Sequence, residues 1–322
     1  MSDNTAAAAR EQQNEPTPLA GHRKTLVLLL LAYALSFTDR MILSILFPDI
    51  KADLGLSDTQ LGLLGGLSFA LFYATLGVPI ARLSDQYNRK LIIICSVVVF
   101  SLMTAFSGLA TGFIMLLLLR IGVGIGEAGV NPASHSIIAD HFPPKRRAFA
   151  MAILMLGANL GMMIGFVGGG FIAEHYSWRI ALMAVGIPGL LLAMVMARYL
   201  NEPVRGSFEQ ENPSTAPPPP IRTSAAILWA MPAMRHLIAG STITGMLGYG
   251  LTQWLPTFFM RAHDMPASKV GLMMAGVFGI LGAIGALVAG KLCDRLSARG
   301  FQYRIWLIAA AVSYTHLRAH ET

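Results

Sequence analysis

The sequence predicts an all-α protein that crosses a lipid bilayer many times. Of its 322 residues, 54% are hydrophobic and only 13% are charged, and its mean hydropathy is +0.58. Spanning the hydrocarbon core of a bilayer takes about 20 residues of helix. Six stretches of at least 18 residues carry no charge: Leu61–Ala81, Leu91–Leu119, Ala148–Ala173, Ile180–Ala197, Leu237–Met260 and Val270–Gly290.

The first part of the chain predicts a polar tail followed by six helices. Residues 1–23 are polar and predict a disordered cytoplasmic tail, and residues 24–200 predict a six-helix bundle. Ser57 or Asp58 is expected to cap the second helix, and Pro132 predicts a kink in the fourth. The expected helices are Thr25–Phe47, a second one ending near Ile80, Leu91–Leu109, Phe113–Ile138, Ala148–Ala173 and Arg179–Leu200.

The remaining residues predict a linker and part of a second bundle. Residues 201–228 are polar and rich in proline, which is typical of a cytoplasmic linker. Residues 229–311 predict a seventh helix at Leu237–Met260, an eighth at Ser268–Gly290 and the start of a ninth at Tyr303. Residues 312–322, VSYTHLRAHET, resemble a translated sequencing adapter, so we expect the natural chain to continue past Ala311.

The distribution of Lys and Arg predicts a cytoplasmic N-terminus, because inner segments carry the excess of these residues. In that orientation the outer segments hold only Lys51, Arg179, Arg261 and Lys269. Topology therefore explains the net charge of +7 without a nucleic-acid partner. We expect a multi-pass protein of the bacterial inner membrane.

The two cysteines lie on separate helices and predict neither a disulfide nor a metal site.

A short motif occurs twice at corresponding places. Ala81–Gln86 reads ARLSDQ and Gly290–Arg295 reads GKLCDR, 209 residues apart, each near the inner end of the second helix of a half. Two copies indicate a duplicated helical bundle. We interpret the charges at these ends as a cytoplasmic gate, with ordinary inner-loop charges as the alternative: Asp85, Arg89, Lys90, Asp294 and Arg295.

The loop with Asp85, Arg89 and Lys90 resembles the signature between helices 2 and 3 of the major facilitator superfamily. The segments SFTDR, RIGVGIGEAGVNPASHSIIADHFP and PPKRRA resemble its spinster-like branch. The resemblance implies that two six-helix bundles surround a central cavity and work by alternating access; eight complete helices and part of a ninth are present here. The loop departs from the usual signature at three positions, Ala81, Gln86 and Asn88.

Four charged residues lie inside predicted membrane helices, where a charge costs about 2.5–3.5 kcal/mol at the bilayer centre. Asp39 lies roughly 21 Å from the inner end of the first helix, and Arg120 roughly 10 Å from the outer end of the fourth. In a core about 30 Å thick these depths coincide, so the two residues are expected to pair. Glu127 lies about two turns deeper towards the cytoplasm, where Arg40 is the nearest cation.

We interpret these four residues as a switchable charge network. Burial raises the pKa of a carboxyl group and a nearby arginine lowers it, so an arginine that changes partners could couple proton flux to substrate movement. Glu127 is the first candidate proton carrier and Asp39 the second, and the resemblance implies the same role for these positions. Arg40, Arg120 and Asn131 would complete the substrate and charge network. The alternative is a static buried ion pair.

Further candidates line the expected cavity. His135 could relay protons, although a solvated or structural histidine is the alternative, and Tyr249, Gln253 and Trp254 could line the C-terminal side.

Glycines at every fourth position from Gly157 to Gly169 predict close helix packing. The match of Gly124–Gly129 to a dinucleotide fingerprint lies within a helix, without the strand that this motif needs.

The sequence therefore predicts a proton-coupled secondary transporter and no enzyme, with no cofactor beyond a proton gradient. An amphiphilic lipid of the lysophospholipid or sphingolipid type, or a small organic anion, is the expected substrate. A multidrug efflux transporter and a transporter-like sensor are the alternatives. We expect a monomer in the lipid bilayer, with no metal.

Overall fold

The computed structural model describes residues 18–208 and 221–297, and its regular elements are helices. The first part holds six: α1 is His22–Leu54, α2 joins Asp58–Gly62, a π-helical turn at Leu63–Leu67 and Ser68–Gln86, and α3 is Arg89–Ser107. Helix α4 has two pieces, Phe113–Glu127 and Val130–His141, and is followed by α5, Pro144–His175, and α6, Trp178–Tyr199.

The second part begins with a linker helix, Ile221–Ala230, followed by α7, Pro232–Ala262. Helix α8 consists of Ala267–Met274, a π-helical turn at Ala275–Leu281 and Gly282–Ser297. The predicted ninth helix and residues 312–322 lie outside the described residues, as do residues 1–17 and 209–220. The domain boundaries expected from the sequence stay predictions.

In the described ranges, seven helical segments are long and apolar enough to span a bilayer, so the chain is a multi-pass membrane protein. Helix α7, the predicted seventh membrane helix, is 31 residues long but is not one of the seven. Polar residues such as Thr252 and Gln253 interrupt its apolar run. The seven segments are His22–Leu54, Asp58–Gln86, Arg89–Ser107, Phe113–His141, Pro144–His175, Trp178–Tyr199 and Ala267–Ala289.

Pro48 and Pro132 have different effects on their helices. Helix α1 continues through Pro48 to Leu54, where Gly55 ends it in a left-handed conformation (φ 64°). In α4 the break comes at residues 128–129, before Pro132 rather than at it. A proline ring clashes with the carbonyl four residues earlier, which here belongs to Ala128. Pro132 therefore sits in the first turn of the second piece, where its missing N–H costs little.

Helices α1 and α5 pack together through the glycine stripe of α5. A Cβ atom added at Gly157 would lie 2.7 Å from the Leu30 carbonyl oxygen, and one at Gly165 would lie 2.8 Å from that of Thr38. Close approach of the two backbones therefore requires glycine, as the four-residue spacing predicts.

The second part meets the first at the end of the helices where α2 begins and α5 ends. Arg261 donates to Asp58 at 2.8 Å, and the backbone N–H of Ser268 donates to Glu174 at 3.0 Å. Towards the inner side, residues 235–248 of α7 are all exposed. The described parts of the two halves therefore touch at the end that carries Asp58 and Arg261 and diverge towards the opposite end of α7.

Candidate functional site

The first ion pair of the site joins α1 to α4 and α3. Arg120 donates from Nη1 to Asp39 Oδ2 at 2.9 Å, and Thr104 donates a short hydrogen bond to Asp39 Oδ1. Asp39 is fully buried, and Arg120 is 1% exposed. The pairing of Asp39 with Arg120, which was predicted from their depths in the membrane, is therefore confirmed. The contribution of Thr104 was not predicted.

The second ion pair uses Arg40, the residue that directly follows Asp39 on α1, and Glu127, which lies about two turns after Arg120 on α4. Arg40 Nε donates to Glu127 Oε2 at 2.6 Å, and the Ser36 hydroxyl donates to the same oxygen, also at 2.6 Å. Glu127 is 1% exposed, and its Oε1 is buried without a hydrogen-bond partner in the described residues. A buried polar atom without a partner is costly, so Glu127 Oε1 is the atom of this pair with an open position for a hydrogen bond.

Aromatic rings surround the Arg40 guanidinium. Its Cζ lies 5.0 Å from the ring centroid of Phe37 and 4.7 Å from those of Phe69 and Tyr73. Ring faces attract a cation without neutralising it. The rings can therefore hold Arg40 in place when Glu127 does not pair with it.

Helix α7 supplies the other wall of the site. Gln253 Nε2 donates to the Tyr249 hydroxyl at 2.9 Å, and that hydroxyl donates to the Gly65 carbonyl at 3.1 Å. Trp254 packs against Phe47 of α1, with 5.5 Å between ring centroids. All three α7 candidates from the sequence thus face the first bundle, and Gln253 is 3% exposed.

Asn131 and His135 line a separate cavity of about 280 Å³ between α2 and α4. The cavity adjoins the Arg40–Glu127 pair through Tyr73 and Ala128. Asn131 Oδ1 is buried without a hydrogen-bond partner among the described residues. The two residues therefore border the charged site without pairing with its charges.

The predicted cytoplasmic gate is arranged around Arg89. Arg89 forms a short ion pair with Asp140 and donates from Nε to Glu202 at 2.7 Å. The backbone N–H of Lys90 donates to the second Glu202 oxygen at 2.7 Å, and the Asp85 carbonyl accepts from Arg205. The sequence analysis did not identify Asp140, Glu202 or Arg205 as partners. The side chains of Asp294 and Arg295 lie outside the described residues.

The arrangement in the membrane is balanced in charge. Two carboxylates face two arginines in two pairs, which offsets part of the cost of burying each charge. A proton on Glu127 would leave the Arg40 charge without an anionic partner. The guanidinium would then contact only the aromatic rings and the neutral acid. In the described ranges, no group of three or more His, Cys, Asp or Glu residues could hold a metal ion.

Sequence comparison places the chain among transporters. The family model described as Major Facilitator Superfamily matches residues 29–317. An MFS-type efflux pump of Mycolicibacterium smegmatis is 31% identical over 87% of this chain, and a hexuronate transporter of Bacillus subtilis is 29% identical over 84%. The chain spans only 64% of the length of each relative.

Structure comparison agrees with this result. The chain is similar to a bacterial homolog of the human lysosomal transporter spinster, crystallised in an inward-facing and unoccupied conformation. The TM-score is 0.76 and the sequence identity is 33%; the match covers 87% of this chain and 64% of the other.

Proposed function

Because this chain belongs to the major facilitator superfamily and resembles its spinster-like branch, we propose that it is a proton-coupled secondary transporter of anionic substrates. The family match supports a membrane transporter rather than an enzyme. The observation that supports proton coupling is the Arg40–Glu127 pair, whose acid keeps one buried oxygen without a partner.

In the proposed cycle, a proton and an anion bind together. Protonation of Glu127 removes its negative charge, so Arg40 attracts a carboxylate or phosphate of the substrate instead. Phe37, Phe69 and Tyr73 hold the guanidinium during this exchange. In this cycle Asp39 stays ionised and keeps Arg120 neutralised. In the alternative cycle, Asp39 binds the proton in place of Glu127.

Two sources can supply such an anion. One is a small organic acid, which the match to a hexuronate transporter supports. The other is the headgroup of an amphiphilic lipid such as a lysophospholipid, which the resemblance of the sequence to the spinster-like branch implies. The shared chemistry is an anionic group that binds Arg40.

Efflux of hydrophobic compounds is the second candidate, supported by the 31% identity to an efflux pump and by the aromatic rings beside Arg40. A transporter-like sensor would bind its ligand at the same site without moving it. We further propose that the protein works as a monomer in a bacterial inner membrane with a cytoplasmic N-terminus, an orientation favoured by the Lys and Arg distribution.

The test is uptake into liposomes that contain the purified full-length protein. A lysophospholipid, a hexuronate and a cationic dye would each be offered with and without a pH gradient. We expect a pH gradient to drive movement of an anion, and Glu127→Gln to abolish the gradient-driven part. Dye movement without anion movement would favour efflux, and binding without movement would favour a sensor. Unchanged gradient-driven transport in both Glu127→Gln and Asp39→Asn would contradict the proposed coupling.

A further inference from the structure

A groove runs along the surface of the first bundle between α1 and α6. Its first part is a cavity of about 350 Å³, lined by Arg23, Lys24, Val27, Leu28, Val195 and Tyr199. Its second part is a cavity of about 300 Å³, whose walls include Leu31 of α1 and Leu192 of α6. Leu31 follows Leu28 by three residues, and Leu192 precedes Val195 by three. The two parts therefore occupy successive turns of the same two helices.

The groove is apolar and open along its length. Thr38 is the one polar residue that lines its second part, and the Thr38 hydroxyl already donates to the carbonyls of Ala34 and Gly161. Val27 is 55% exposed and Val195 is 43% exposed. A hydrocarbon chain can therefore enter the groove from the side, and no polar group in the second part would oppose it.

The length of the groove matches one layer of lipid. Its lining residues on α1 extend from Lys24 to Thr38, a rise of about 21 Å. Half of the hydrocarbon core of a bilayer is about 15 Å thick. The groove is thus long enough to hold one acyl chain of one leaflet.

One end of the groove is cationic. Arg23 and Lys24 line this end, and both are exposed. Arg198 lies beside it, with Cζ 5.3 Å from the ring centroid of Tyr199. Residues 18–38 and 178–201, which contain α1 up to Thr38 and the whole of α6, include no Asp or Glu. The charge at this end is therefore positive and complements an anion.

The fold itself does not explain these cations. Arg23 and Lys24 lie in the first turn of α1, where the helix dipole is positive and disfavours a cation. The first acid after α6 is Glu202, which already accepts from Arg89 and from the backbone N–H of Lys90. An anion from outside the chain would be attracted by both the side chains and the dipole.

We propose that this groove binds one anionic phospholipid of the surrounding bilayer. Its phosphate binds Arg23, Lys24 and Arg198, and one acyl chain lies between α1 and α6 as far as Thr38. Basic pockets between membrane helices at the cytoplasmic side bind anionic headgroups, and in the proposed orientation this end of α1 faces the cytoplasm. Lipid tails are as apolar as the groove, so the headgroup charge provides the selectivity and the groove fixes the position.

This lipid is a bound component of the bilayer and not the transported substrate. None of the four charged residues of the candidate site lines the groove: Asp39, Arg40, Arg120 and Glu127. The inference goes beyond the proposed function and requires neither proton coupling nor a particular substrate. Its test is a binding measurement without a pH gradient, so failure of the transport mechanism would leave the result unaffected.

The test is a lipid titration of the purified full-length protein, followed by native mass spectrometry. Phosphatidylglycerol is the anionic probe and phosphatidylcholine the neutral one. We expect the parent to bind one phosphatidylglycerol about 20-fold more tightly than phosphatidylcholine, because each cation near an anionic headgroup contributes about fivefold. Arg23→Gln combined with Lys24→Gln should remove most of this preference.

Arg146→Gln combined with Arg235→Gln is the matched control. It removes the same charge from two exposed arginines that do not line the groove, so it should keep the preference of the parent. Val195→Trp tests the position of the acyl chain. It fills the groove at a half-exposed position and should weaken the binding of both lipids about equally.

The preference for phosphatidylglycerol decides the outcome. If the double variant at Arg23 and Lys24 fails to fold, each single variant should lower the preference about fivefold. An unchanged preference in the folded variants would overturn the proposal, and so would an equal loss in the control. Binding of both lipids by Val195→Trp as tightly as by the parent would contradict the position of the acyl chain.

Discussion

Asp39 and Glu127 are both buried carboxylates paired with arginine, but their surroundings differ. Both Asp39 oxygens accept a hydrogen bond, from Arg120 and Thr104. Both bonds to Glu127 reach Oε2, which leaves Oε1 without a partner in the described residues. Glu127 therefore has an open position at Oε1 that Asp39 lacks, and this difference supports the proposal that Glu127 is the proton carrier.

A substitution at Thr104 tests how the Asp39–Arg120 pair contributes to stability. Thr104→Val removes the hydroxyl that donates to Asp39 Oδ1 and leaves a buried carboxylate oxygen without a partner. A lost bond of this kind costs about 1–3 kcal/mol. We expect the unfolding temperature of the purified protein in nanodiscs to fall.

Thr75→Val is the control for this experiment, since the exposed Thr75 hydroxyl donates only within α2, to the Leu71 carbonyl at 2.7 Å. It should leave the unfolding temperature almost unchanged. Equal effects of the two substitutions would show that Thr104 does not support Asp39.

The charged residues of the site could be predicted from the sequence, but their hydroxyl partners could not. A charge within an apolar helix is conspicuous because it is costly, and counting residues gives its depth. Ser36 and Thr104 carry no such signal, since hydroxyls are common in membrane helices and bond to their own backbone. The spacing of Ser36 and Arg40, one helical turn apart, is the only local hint.

At the scale of elements, the glycine stripe of α5 determines how closely α1 approaches. Gly161 lies against the Ala34 carbonyl, and the Gly161 carbonyl accepts from Thr38 at 3.1 Å. Thr38 directly precedes Asp39, so this packing also sets the position of the first ion pair.

We therefore expect Gly161→Ala to push α1 and α5 apart and to cost about 1–3 kcal/mol by overpacking. Thermal unfolding in nanodiscs would measure the loss. Gly168→Ala is the matched control on the same helix, because a Cβ atom there meets nothing within 4 Å. Similar stability of the two variants would contradict the role assigned to close packing.

Helix existence could be predicted from uncharged runs, but local backbone irregularities could not. The capping box at Ser57 and Gln60 confirms the predicted start of α2. The break in α4 is an exception, because Pro132 predicts a kink there. The π-helical turns lie where glycines let side chains of neighbouring helices approach closely. Such contacts join residues far apart in sequence, so a local pattern does not contain them.

At the scale of the molecule, the described halves touch at the end that carries Asp58 and Arg261 and diverge towards the opposite end. The site with Arg40 and Glu127 lies between these regions, and the cavity beside Asn131 and His135 adjoins it. An opening at one end agrees with the likeness to an inward-facing spinster homolog. In the proposed orientation, the open end faces the cytoplasm, and an anion that enters there meets Arg40.

The central claim is that a proton binds Glu127 when an anion binds near Arg40. It is tested most directly by counting protons taken up on binding, with a pH indicator in weakly buffered solution near pH 7. The ligand is lysophosphatidic acid or glucuronate, whichever the liposome assay shows to be transported. We predict about one proton taken up per anion bound to the parent protein, and none for Glu127→Gln, which should still bind the anion because it resembles the protonated acid. Equal proton uptake by the two proteins, or none by the parent, would contradict the account.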